Sequence, residues 1–240
     1  MFSIKPKIII RGVAKRLSSF LDTQGISLLV AVHTIAPTNK KYYDGIFYIA
    51  FLINSKLLDW FHKNTFYTAR IPRGSLRYPI SFLKKLPIIE EPQLKRQSCA
   101  FLAEYLLFLN YTNKRRTQLK GVIEFFDCQI ADSLVYELYF CEKFHEDGLY
   151  PEPKAHLAEL VSKHLKPISY DRWAELYWKK QLEENLTPEE EKELEELETE
   201  NTKTIESVHN AITNDSEIQQ QIVKIRTHEW IKIIEGDDGA

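Results

Sequence analysis

The sequence predicts an α+β chain: a mixed α/β segment at the N-terminus, then a mostly α-helical spacer and tail. Three observations carry this. Short β-branched runs bounded by Gly, Pro and Thr are confined to the first 35 residues. Helical spacing and a strong helix start mark the later chain, where Gly148 is the one glycine of 8 between residues 122 and 235. Charge is also sorted by position. Residues 1–120 carry 20 Lys+Arg against 6 Asp+Glu, a net of +14, and residues 121–240 carry 12 against 28, a net of −16.

Along the chain, Lys7 to Gly12 and Ser27 to Ile35 read as buried strands, with a turn from Leu17 to Gly25 between them. From Asp44 to Lys63, apolar residues such as Ile46, Phe47, Ala50, Phe51, Leu57, Leu58 and Phe61 fall at spacings of 3 and 4. An amphipathic helix packed on the strands is expected there, with Asp44 as its cap. No period holds from Asn64 to Leu83, where a long irregular loop is expected, followed by a short strand from Leu83 to Ile88. Residues 92–110 and 113–146 read as two long helices around a basic turn at residues 113–116. Pro151, Pro153 and Pro167 interrupt the chain. Thr187-Pro188-Glu189-Glu190 combines an N-cap, Pro at the first helical position and Glu at the capping-box position. The helix it starts places Leu194, Leu197, Ile205, Val208 and Ile212 near heptad spacing. The expected division is residues 1–90, a helical spacer at 91–148 and an acidic helical region at 149–240.

Composition and motifs narrow the function classes. At 44% hydrophobic and 28% charged the chain is expected to be globular rather than disordered. No apolar stretch is long enough to span a bilayer and the first residues lack a signal-peptide pattern, so a cytoplasmic protein without membrane partners is expected. Cys99, Cys128 and Cys141 lack CxxC spacing and read as buried reduced thiols. There is no glycine-rich phosphate loop, GxSxG or HExxH motif, and the seven histidines are dispersed. A nuclease-like trace through Asp132 and Glu152-Pro153-Lys154 fails because Pro153 would sit inside the strand such a site needs. No catalytic, cofactor-binding or metal residues are assigned.

A binding surface remains. Between residues 63 and 78, Arg and aromatic side chains alternate, and guanidinium groups can bridge phosphates or fork onto guanine edges. The candidate DNA-binding residues are Lys63, Tyr67, Arg70, Arg73 and Arg77, with Arg11, Lys15, Arg16, Lys41, Lys84 and Lys85 widening the footprint. Tyr78 belongs to the same contact cluster, and Lys5, Lys7 and Lys40 widen the footprint further. Double-stranded DNA is the expected partner. A helical adaptor that binds only proteins is the rival from another class, and a divergent catalytic subunit is the second.

The order of these segments resembles a known family. Residues 5–37, then YYDGIFYIAFLINSKLLDWFHKN and YPISFLKKLPI, are similar to the C-terminal target-recognition (specificity) domain of TaqI-like adenine methyltransferases and of fused type IIG restriction-modification enzymes. FLINSKLLDWFHK is the most specific match, and IADSLVYELYF and HEWIKIIEG resemble the helical tails of those enzymes. The resemblance implies a specificity module that directs a methyltransferase or endonuclease to its site. In the family the catalytic domain lies upstream, and its cofactor loop and NPPY-type motif have no counterpart here. The chain is then a fragment, a split-off specificity subunit, or a gene whose annotated start cut off that domain. No activity is expected of this polypeptide alone. S-adenosylmethionine and magnesium are expected only in a catalytic domain or subunit that partners it.

Overall fold

A computed structural model describes residues 6–23, 25, 31–37, 43–66, 70–71, 74–90, 93–112, 119–152, 156–182 and 185–236. Two small sheets occupy the N-terminal part and helices the rest. In the first sheet, β1 (Lys7–Arg11) lies between β3 (Ser19–Asp22) and β4 (Val32–Ile35), antiparallel to both. Ile8 and Ile10 are fully buried, as suits a central strand covered on its inner face. Lys7 stands opposite Asp22 in the register and pairs with it at 3.0 Å, both side chains sealed from solvent. The second sheet places β6 (Ser75–Arg77) between β2 (Val13–Ala14) and β5 (Arg70–Ile71), again antiparallel.

Gly12 joins the sheets. Its N–H donates to Ala31 O at 2.8 Å and its carbonyl accepts from Tyr78 N at 3.0 Å. A Cβ here would come within 3.0 Å of the Ala31 oxygen, so glycine permits the close crossing. Gly74 has φ +73°, the left-handed region that the tight connection between β5 and β6 uses.

Two helices replace the single one expected from Asp44 to Lys63: α1 (Tyr43–Ile53) and α2 (Lys56–Thr65). The Asn54-Ser55 step breaks the helix because both side chains are taken by backbone groups. Asn54 Oδ1 accepts from Ser19 N at 2.7 Å, which clamps β3. Ser55 caps α2, its Oγ accepting from Leu58 N at 3.3 Å and donating to Leu52 O at 2.7 Å. The first N–H of α2, from Lys56, then donates to Asp132 Oδ1 at 2.9 Å. Three residues later Asp59 Oδ1 accepts from Leu17 N at 2.6 Å. The side chain of Asp44, the expected cap of α1, lies outside the described residues.

Other boundaries also differ from expectation. The turn from Leu17 to Gly25 contains β3; the strand expected at Ser27 to Ile35 is present over Val32–Ile35, and residues 27–30 lie outside the described residues. The irregular loop contains the β5–β6 hairpin, whose strands of two and three residues are too short to show a period. The strand expected at Leu83 to Ile88 is instead the end of a short helix, α3 (Ile80–Leu83), and a turn. Tertiary packing decides this: Phe82 stacks on Phe66 with centroids 4.4 Å apart, and Leu86 is buried.

The helical part comprises α4 (Gln93–Tyr111), α5 (Lys120–Glu124), a π-helical turn (Phe125–Ala131), α6 (Asp132–Glu146), α7 (Leu157–Ser162), α8 (Tyr170–Gln181), α9 (Pro188–Asn214), α10 (Ser216–Thr227) and α11 (Glu229–Gly236). The helix expected over 113–146 is thus three segments, with its first residues outside the description. The capping box at Thr187 forms as read, Glu190 N to Thr187 Oγ1 at 3.2 Å and Thr187 N to Glu190 Oε2 at 2.9 Å. Leu194, Ile205, Val208 and Ile212 are buried along α9. A single apolar core runs from Ile8 to Ile234. Among the described residues no helix is long and apolar enough to cross a membrane.

Candidate nucleic-acid interface

The second sheet stands on an aromatic floor. His62 of α2 lies 4.6 Å from the Tyr78 ring and 5.1 Å from Phe66, between the hairpin and α3. Leu76 and Tyr78 are both buried, Tyr78 with its ring on His62. Burial lowers the His62 pKa and so favours the neutral ring, against an opposing pull from Asp59. Burial likewise raises the Tyr78 hydroxyl. Tyr78 is therefore a packing residue, which corrects its place in the basic and aromatic contact cluster.

Six candidate residues lie on exposed surface: Arg11 at the end of β1, Lys15 and Arg16 just beyond β2, Arg77 on β6, and Lys84 and Lys85 after α3. Among the described residues none of the six makes a side-chain ion pair or hydrogen bond, and Arg16 alone of them acts electrostatically on a carboxylate, that of Asp127. Arg77 is the Cα partner of Val13, so β2 and β6 bring the segment near residue 77 beside the one near residues 11–16, sixty residues earlier. The acidic half uses its own cations instead: Arg172 forks onto Glu193 at 2.9 and 2.6 Å, Lys179 meets Glu190 at 2.7 Å, and Arg226 meets Glu235 at 2.8 Å. These bonds tie α8 to α9 and α10 to α11, which leaves Arg77 unclaimed by the acidic helices.

The remaining candidates fare differently. Lys63 pairs with Asp59 Oδ2 at 3.0 Å and is only a quarter exposed, so its charge is already partnered. Lys7 is buried in its pair with Asp22 and belongs to the core, not to a DNA footprint. Tyr67, Arg73, Lys41, Lys5 and Lys40 lie outside the described residues. Of Arg70, the backbone alone is described, opposite Leu76 in the register.

The sequence reading missed a cavity of about 260 Å³ between β3, α1, α4 and the π-helical turn, lined in part by Arg16, Phe20, Phe51, Leu106, Asp127 and Asp132. Desolvation pushes the Asp132 carboxyl up to about 7 and raises Asp127 as well. No signal in the sequence separates these carboxylates from the solvated ones around them, since only the fold removes them from water. Among the described residues no three His, Cys, Asp or Glu side chains converge as a metal site requires.

No curated protein and no solved structure matches the chain. A family match does exist, and it covers the two sheets, α1, α2, α3 and all six exposed cations. Residues 1–88 match the family model of the TaqI-like C-terminal specificity domain.

Proposed function

We propose that the chain is the sequence-specific DNA-binding module of a restriction-modification system, acting in the cytoplasm to direct a methyltransferase or endonuclease partner to its site. The observation that carries the reading is the set of six exposed cations within the segment similar to the specificity domain, with Lys15, Arg16 and Arg77 in or directly beside the second sheet. An Arg can fork onto guanine N7 and O6, whereas Lys84 and Lys85 are point charges suited to phosphate. The helices after residue 90 would then space and dock the catalytic partner, to which S-adenosylmethionine and magnesium belong.

Fluorescence anisotropy with a random duplex tests the binding step. Each neutralised phosphate contributes a slope of about −0.9 to log K against log salt, so several contacts give a steep salt dependence. Binding that is absent at low and physiological salt alike would favour the protein-only adaptor instead. Incubation of the chain alone with plasmid, magnesium and S-adenosylmethionine is expected to give neither methylation nor cleavage. Turnover that copurifies with the chain through every column would support the catalytic-subunit reading.

A further inference from the structure

The register of the second sheet sorts its side chains onto two faces. Partners across an antiparallel pair share a face, and neighbours along a strand alternate. Ala14 and Leu76 are partners, and Leu76 is only 5% exposed, so theirs is the inner face. Val13 and Arg77 are partners on the outer face, where Val13 is 48% exposed and Arg77 is exposed. Ser75, two residues before Arg77, shares that face and stands opposite Ile71, both of them partly exposed. The outward surface therefore presents Val13 beside Arg77 and Ile71 beside Ser75, with no acidic side chain among them.

Among the described residues Val13 is not one of those that pack against the apolar core. The neighbouring Ala14 turns inward, the junction at Gly12 sets the register, and a β-branched apolar side chain is left in water among Arg11, Lys15, Arg16 and Arg77. Such a side chain gains nothing from phosphate, which is polar and charged. It gains from another apolar group. In duplex DNA the exposed apolar group of the major groove is the thymine C5-methyl, and that groove admits a two-stranded β-ribbon.

We infer that the outer face of β2 and β6 is the base-reading surface, with Val13 packing on a thymine methyl and Arg77 forking onto a guanine at the neighbouring base pair. The inference rests on the DNA-binding reading above and adds which atoms read which bases. Directly opposed side chains have Cβ atoms about 5 Å apart, more than the step of about 3.4 Å between bases along one strand. Arg77 and Val13 thus address adjacent pairs rather than the same one. The aromatic floor under Tyr78 holds the ribbon in place without contribution from DNA.

The test uses the full chain. A preferred duplex is selected from a randomised library, and each thymine is then replaced singly by uracil, which lacks only the methyl group. At one position the substitution is expected to weaken binding about fourfold, the scale of one buried methyl group. Val13→Ala should bind the thymine and uracil duplexes alike, with unchanged melting temperature and unchanged affinity for random duplex. Arg77→Ala should lose the preference for guanine next to that thymine. The inference is overturned by a selected site without thymine, by uracil substitutions that have no effect, or by a Val13→Ala variant that keeps the wild-type ratio. A chain that binds no duplex at all fails earlier, and removes the DNA-binding reading with it.

Discussion

His62 shows how one side chain can set the conditions under which the interface exists. Both ring nitrogens are buried without a hydrogen-bond partner, and desolvation lowers the pKa below the ordinary histidine value. The unfolded chain therefore binds a proton that the folded chain resists. The stability contributed by the neutral ring is complete above the unfolded pKa of about 6.5 and is lost as pH falls below it. We expect acid destabilisation to begin near pH 6 and His62→Leu to flatten it, measured as melting temperature from pH 5 to 8. An identical acid limb in the variant would assign the effect to other groups. Asp132 has the opposite sign. Its folded pKa of about 7 lies above the unfolded value of about 3.9, so its stability contribution is greatest at low pH and falls as pH rises from about 4 to 7. Asp132→Asn keeps an oxygen to accept from Lys56 N and should melt higher than the wild type at pH 8, while the two should converge near pH 4.

At the scale of the element, the start of α7 depends on a carboxylate from another helix. Glu137 of α6 accepts from Tyr150 Oη at 2.5 Å and from the N–H groups of His156, Leu157 and Ala158 at 2.8, 2.5 and 2.9 Å. Burial raises its pKa, and the four donors oppose that shift. It caps a helix whose own N-terminal residue supplies no side-chain bond. Glu137→Ala should cost at least about 3 kcal/mol in chemical denaturation, because several buried donors lose their acceptor at once. Glu137→Gln should cost less, since one oxygen still accepts while the new amide faces N–H groups. Equal losses for both variants would mean that side-chain volume rather than hydrogen bonding sets the cost. The break between α1 and α2 is governed in the same way by Asn54 and Ser55. There the periodicity of apolar residues continued straight through, and only the capping chemistry of the Asn-Ser pair hinted at two helices.

For the whole molecule, the apolar core is continuous from the first sheet to α11, with Ile8 and Ile234 in the same cluster. Differential scanning calorimetry should accordingly show one transition, its calorimetric and van't Hoff enthalpies agreeing. Two separated transitions would mean that the N-terminal and helical parts unfold independently. Much of this arrangement was legible without coordinates. The α+β class, β1, α4, the capping box of α9 and the apolar seam from Leu194 to Ile212 follow from local patterns: β-branched runs, 3.6-residue spacing, and a Thr-Pro-Glu-Glu start. The basic N-terminal half and the family resemblance of FLINSKLLDWFHK pointed to DNA from the residues alone. What tertiary structure alone decided are the features that join distant residues. Strands as short as Val13–Ala14 and Ser75–Arg77 have no period to read, and exist because each pairs with a segment sixty residues away. The same pairing exposes Val13, sets Arg77 beside it and turns Leu76 inward, while burial withdraws Lys7 and Tyr78 from any surface. Charge and residue type are properties of single positions and survive in the sequence. Exposure, partnership and face are properties of pairs, settled when the chain closes on its core.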